Sequence, residues 1–107
     1  MIVFEEVISK LTGIPLRPVK NTIELLEEGA TIPFISRYRK EHTGSLDEVK
    51  ITEIRDELNR LKDLEKRKAY ILKTIGEQEK LTPDLQRKLE ECLDPVELED
   101  LYLPFKP

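Results

Sequence analysis

In the stretch ATIPFISRYRKEHTG, residues 30–44, Arg37, Arg39 and Lys40 surround Tyr38 directly behind an apolar run that begins at Pro33. Bases set close together are the residue types that neutralise phosphates and read base edges. The same stretch also fits a structural helix with a charged rim. Other chemistry is thin. His42 is the only histidine, sits in a polar stretch at a helix end, and suits contact with the last carbonyls of that helix better than catalysis. Cys92 is the only cysteine, so it forms neither an internal disulfide nor a metal cluster, and it reads as a half-buried helix residue. Four scattered glycines make no phosphate loop. The acids of residues 46–80 alternate with bases at three- and four-residue spacings, as solvated helix faces do. We therefore expect no catalytic, cofactor-binding or metal-binding residue, and no enzyme.

The elements that would carry these residues are helices. A chain of 107 residues, 37% charged and 38% hydrophobic, with three Phe, three Tyr and no Trp, is about one small all-α domain. Its net charge of −4 argues against a domain whose main task is gripping phosphates. The imbalance lies in residues 81–107, since the preceding 80 residues carry equal numbers of acids and bases. No apolar run reaches the roughly 20 residues of a membrane span, and the start lacks a signal peptide, which predicts a cytoplasmic address with no membrane partner.

Helical spacing of Phe4, Val7, Ile8 and Leu11, with Gly13 as a left-handed stop, predicts a helix over 3–12. Pro18 opens a second over 18–28, striped by Val19, Ile23 and Leu26. A third opens at Pro33 and fades near Gly44, with Phe34, Ile35 and Tyr38 as its buried stripe. Ser45 and Glu48 match a capping box, so a long central helix is expected from about 46 to 75, ending at Gly76. Thirty helical residues span about 45 Å, whereas a compact chain of this size has a radius of gyration of about 13 Å. Such a helix overhangs its domain unless it kinks, pairs, or docks elsewhere. Its stripe loses regularity past Leu64, where Lys68 takes an apolar place, which weakens a dimeric coiled-coil reading. Thr82–Pro83 and Asp94–Pro95 start two short C-terminal helices, making about six in all.

Counting 100° per residue from Phe34, Tyr38 and Ile35 fall at about 40° and 100°, while Arg37, Arg39 and Lys40 fall at about 300°, 140° and 240°. The bases do not share a face. Long arginine stems beside a buried stripe are expected to cover apolar surface and meet carboxylates on adjacent helices. A helix-turn-helix over 18–41 remains the rival, with Arg37, Arg39 and Lys40, joined by Arg67 and Lys68, touching RNA or DNA. Its weakness is that the reading helix would begin Pro33-Phe34-Ile35. At the other end, LEDLYLPFKP crowds Leu101, Tyr102, Leu103 and Phe105 into the terminus. Natural ends are usually polar and frayed, so residues 1–107 read as an excised N-terminal piece of a longer protein. Those four residues are the expected interdomain docking surface, or a surface for self-association.

The strings EGATIPFISRYRKEHTGSLDE, LEKRKAYILKTIGEQEKLTP and LEDLYLPFKP resemble, in order, the N-terminal region of the bacterial Tex proteins, transcription accessory factors. The resemblance covers most of residues 28–107. It implies a multidomain cytoplasmic parent that binds nucleic acid and is similar in architecture to a eukaryotic transcription elongation factor. In that family an OB-fold RNA-binding domain lies near the far C-terminus, preceded by a nuclease-like domain and helix-hairpin-helix elements. The resemblance therefore implies that residues 1–107 are a non-catalytic scaffold whose partners are the downstream domains of its own chain. RNA or DNA would be bound by the parent, and not mainly through this piece.

Overall fold

The computed structural model describes residues 3–107, and the described residues are helical with no strand. Helix α1 spans Phe4–Thr12, α2 Leu16–Glu27, α3 Ile32–Tyr38, α4 Lys40–Thr43, α5 Glu48–Glu77, α6 Pro83–Glu91 and α7 Pro95–Tyr102, followed by a 3-10 turn, Leu103–Phe105. The all-α expectation with one long central helix is met. The backbone gathers into two compact units, Val3–Arg60 and Leu61–Pro107, and α5 contributes to each.

In the first unit, Gly13 adopts φ +75° and ends α1, its N–H donating to Ser9 O. Helix α2 starts earlier than expected, because Pro15 precedes it in extended backbone and Pro18 falls in a first turn where N–H groups have no helical partner anyway. Its most buried face is Val19, Thr22 and Leu25, one position round from the expected Ile23 and Leu26. Leu25, Ile35 and Ile51 form a core cluster, with Leu26, Ala30, Ile32 and Leu46 packed against it.

The expected third helix is two helices. Thr31 Oγ1 accepts from Phe34 N, Pro33 sits in the first turn, and α3 ends at Arg39, whose φ −128° and ψ 31° break the ladder. The Arg39 carbonyl then accepts from His42 N and Thr43 N and opens α4. Asn21 Nδ2 donates to His42 O at 2.8 Å, holding α4 against α2.

The cap of α5 also differs from expectation. Ser45 is left-handed at φ +67° and cannot close a box with Glu48. Asp47 Oδ1 accepts from Lys50 N at 2.9 Å instead, while the fully buried Thr43 takes Leu46 N on its Oγ1. At the far end Gly76 lies inside the helix, and Glu79, at φ +58°, makes the left-handed exit, with Lys80 N donating to Ile75 O.

The Ile and Leu stripe of α5 is covered within the described residues, while Val49 and Tyr70 stay exposed. Ile51, Ile54, Leu58, Leu61, Leu64, Ile71 and Ile75 are each at most 4% exposed. In the second unit the reason is visible: α6, α7 and the terminal turn fold back along the helix. Lys68 Nζ donates to Glu90 O, Arg67 pairs with Glu99, and Gln78 Nε2 donates to Phe105 O. Thr82 and Asp94 cap α6 and α7 as expected, accepting from Leu85 N and Val96 N.

Candidate functional site

The two halves of α3–α4 place the basic stretch on the outside of the first unit. Only Ile35 of the expected stripe is buried; Phe34 is 39% and Tyr38 66% exposed. A helix of seven residues with one buried position has little inner face, so the remaining rings point outward. The Phe34 and Tyr38 rings lie 5.4 Å apart at 46°, and the Arg39 guanidinium sits 4.9 Å above Phe34. Arg39 Nη1 also donates to Tyr38 O at 3.1 Å.

Arg37 and Arg39 were expected to meet carboxylates on adjacent helices. Among the described residues they do not: Arg37, Arg39 and Lys40 are exposed and none has an acidic partner. The break at Arg39 also removes the straight-helix geometry that set Lys40 apart from the arginines. All three line one open depression with Tyr38, Glu41 and His42. The result is a cationic, aromatic surface with a single acid, Glu41, along its rim.

Arg67 and Lys68 do not join that surface; they are engaged within the second unit. Arg67 donates to both Glu99 oxygens at 2.8 Å and lies 5.1 Å from the Tyr70 ring centre and 5.3 Å from that of Tyr102. Its hydrogen bond to Glu99 raises its pKa further, and the same bond holds the Glu99 carboxyl below its ordinary value. Lys68 is 3% exposed and is removed as a phosphate ligand. Its place in the apolar stripe of α5 is genuine, and its ammonium is stabilised by the Glu90 carbonyl at the C-terminal end of α6, where helix carbonyls lack partners. Glu65 Oε1, one turn back on α5, adds an ion pair with that ammonium at 3.3 Å.

The expected docking residues are likewise divided. Tyr102 is 2% exposed, packed edge-on against Tyr70, and unavailable to a neighbour. Leu101 and Phe105 are half-buried, and Leu103 is 64% exposed. Sequence reasoning missed Val96, 69% exposed on α7, and Leu93, 39% exposed just before it. Helical spacing carried a signal for Val96, which falls two positions from buried Leu98. Cys92 is buried and its thiol donates to Asp94 O. Among the described residues, no helix is long and apolar enough to cross a membrane.

The family described as the Tex-like protein N-terminal domain matches residues 3–76. The chain is 51% identical over 89 residues to Transcriptional accessory protein Tex of Neisseria gonorrhoeae, covering 83% of this chain and 12% of that protein. It is 46% identical over 99 residues to the Bacillus subtilis protein YdcI, covering 92% and 14%. It is 32% identical over 101 residues to the human S1 RNA-binding domain-containing protein 1, covering 94% and 10%. The chain thus spans a small part of the length of the relatives it matches. A match over most of the chain, together with this identity, shows that the chain belongs to the Tex-like N-terminal domain family.

Proposed function

We propose that residues 1–107 form a non-catalytic helical scaffold, the N-terminal domain of a Tex-like transcription accessory protein acting in the cytoplasm. In this reading its partners are the other domains of the same parent chain. The observation that carries it is the C-terminal segment: α7 buries Leu98 and Tyr102, whereas Val96 on it and Leu103 in the turn after it are more than 60% exposed, and Leu93 before it is 39% exposed. Relatives that continue far beyond the matched region have chain with which to cover such residues. The non-catalytic reading rests on the sequence, which sets no nucleophile beside a base. Nucleic-acid binding is suggested by the S1 RNA-binding domain-containing relatives and belongs, in this reading, to the parent.

The test compares the longer parent with a version lacking residues 1–107 for oligonucleotide binding. Retained affinity, together with association of the separate 107-residue chain with the remainder that is lost on Val96→Ser plus Leu103→Ser, is the expected result. A chain with no affinity for the remainder would overturn the scaffold reading.

A second reading is favoured by one specific observation. Arg37, Arg39 and Lys40 are exposed, lack acidic partners among the described residues and stand beside two exposed rings. In this reading the domain contacts RNA or DNA directly.

A further inference from the structure

We infer that the α3–α4 surface is a landing site for single-stranded nucleic acid, held by ring stacking on Tyr38 and Phe34 and by phosphate contacts from Arg37, Arg39 and Lys40. This rests on the second reading above and names its ligand class.

The rings argue for it first. Tyr38 is 66% exposed and Phe34 39%, in a unit that buries Ile8, Val19, Ile35, Ile51 and Ile54 completely. The rings are tilted 46° to one another and the Arg39 guanidinium layers 4.9 Å over one face of Phe34, so Tyr38 is the more open stacking platform, with a cation close by. Proteins that hold unpaired strands without reading sequence combine these two elements, because every base has a π-face and every nucleotide a phosphate. The bases follow. Each cation of the patch is unpaired among the described residues, so it loses no ion pair on meeting a phosphate.

Duplex DNA fits this surface poorly. A reading helix enters the major groove with its first residues, and in α3 these are Ile32, half-buried against the core cluster, and Pro33, which has no N–H. The helix then ends at Arg39, after seven residues. Exposed rings stack on bases only where these are unstacked from their partners.

The magnitudes are modest. Three phosphate contacts on a single strand give a slope of log K against log salt of about −2. With a net charge of −4 on the chain, long-range attraction adds nothing, and stacking has to supply much of the affinity.

The experiment is fluorescence anisotropy of labelled twelve-nucleotide single strands, oligo-U and oligo-dT, and of a duplex of equal length, with the 107-residue chain from 25 to 200 mM salt. The single strands should bind with a slope of about −2 and the duplex should bind more weakly. Tyr38→Ala and Phe34→Ala should each weaken binding about fivefold or more with the slope unchanged. Arg37→Ala plus Arg39→Ala should reduce the slope to about −0.7. All four side chains are exposed, so far-UV circular dichroism should be unaltered in each variant. Equal binding of strand and duplex, lost with the arginines but indifferent to the rings, would overturn stacking while leaving direct phosphate contact standing. Absence of binding at 25 mM salt would end both readings. If the ring variants instead abolish association with the remainder of the parent and leave oligonucleotide binding untouched, the surface docks protein and the inference is wrong.

Discussion

Arg67 and Glu99 form a two-pronged ion pair, Nε to Oε2 and Nη2 to Oε1 both at 2.8 Å, between residues 32 positions apart. Tyr70 and Tyr102 flank the guanidinium, and Lys106 Nζ stands 3.7 Å from Glu99 Oε1. With Gln78 on the Phe105 carbonyl, this fastens α7 and the terminal turn to α5.

That clasp makes stability depend on acid. Glu99 is held below its ordinary 4.5, chiefly by the Arg67 hydrogen bond, so the folded chain takes up this proton less readily than the unfolded one. Its stabilisation is complete above about pH 5 and is lost as pH falls through the depressed folded value. Both side chains are about 40% exposed, which limits the pair to about 1 kcal/mol. Urea melts of Glu99→Gln against the parent chain should differ by that amount at pH 7 and converge near pH 3. A difference that is constant with pH would contradict the ionic origin.

Lys68 offers a separate measurement. Lys68→Ala removes a buried stem and leaves the Glu90 carbonyl without its donor, for a cost of about 2 kcal/mol. Lys68→Met keeps the stem without a buried charge and should recover more than half of that. Denaturant midpoints decide it. An alanine variant as stable as the parent would show that the ammonium bond is not made in solution.

The entry to α5 separates two candidate caps. Asp47→Ala should cost about 1 kcal/mol, because it strips the acceptor from Lys50 N. Ser45→Gly should be neutral or stabilising by up to about 1 kcal/mol, since glycine tolerates φ +67°. If a capping box operated at Ser45, the glycine variant would instead melt at lower temperature.

Thr22 is fully buried and its hydroxyl has no hydrogen-bond partner among the described residues. Thr22→Val keeps the shape and removes a polar group from an apolar interior, so thermal unfolding should shift upward, corresponding to about 1 kcal/mol. A lower melting temperature would point to a hidden partner for the hydroxyl.

Local signals read well where a residue acts within its own turn. Thr82 and Asp94 stand as caps and Gly13 as a left-handed stop because each depends on backbone a few residues away. The same logic failed at Ser45, where Gly44 and Ser45 are both left-handed and push the helix start to Asp47. It failed again at Arg39, where a seven-residue helix ends and a four-residue one begins, a break that no proline or glycine announces. The candidate surface was therefore named by its residues but misjudged in its geometry. Tyr38, expected in the core, is exposed, while Lys68, which the rival reading joined to the nucleic-acid contact, is interior.

The sequence by itself determined the helical class, the long central helix and the family resemblance, because spacing, caps and long ordered strings are properties of neighbours along the chain. Only the tertiary structure decided which charges are spent on partners and which remain open. Arg67 meets Glu99 and Lys68 meets the Glu90 carbonyl across 32 and 22 positions, whereas Arg37, Arg39 and Lys40 meet no acid among the described residues. Pairing at such separations depends on where helices cross, which no local pattern encodes.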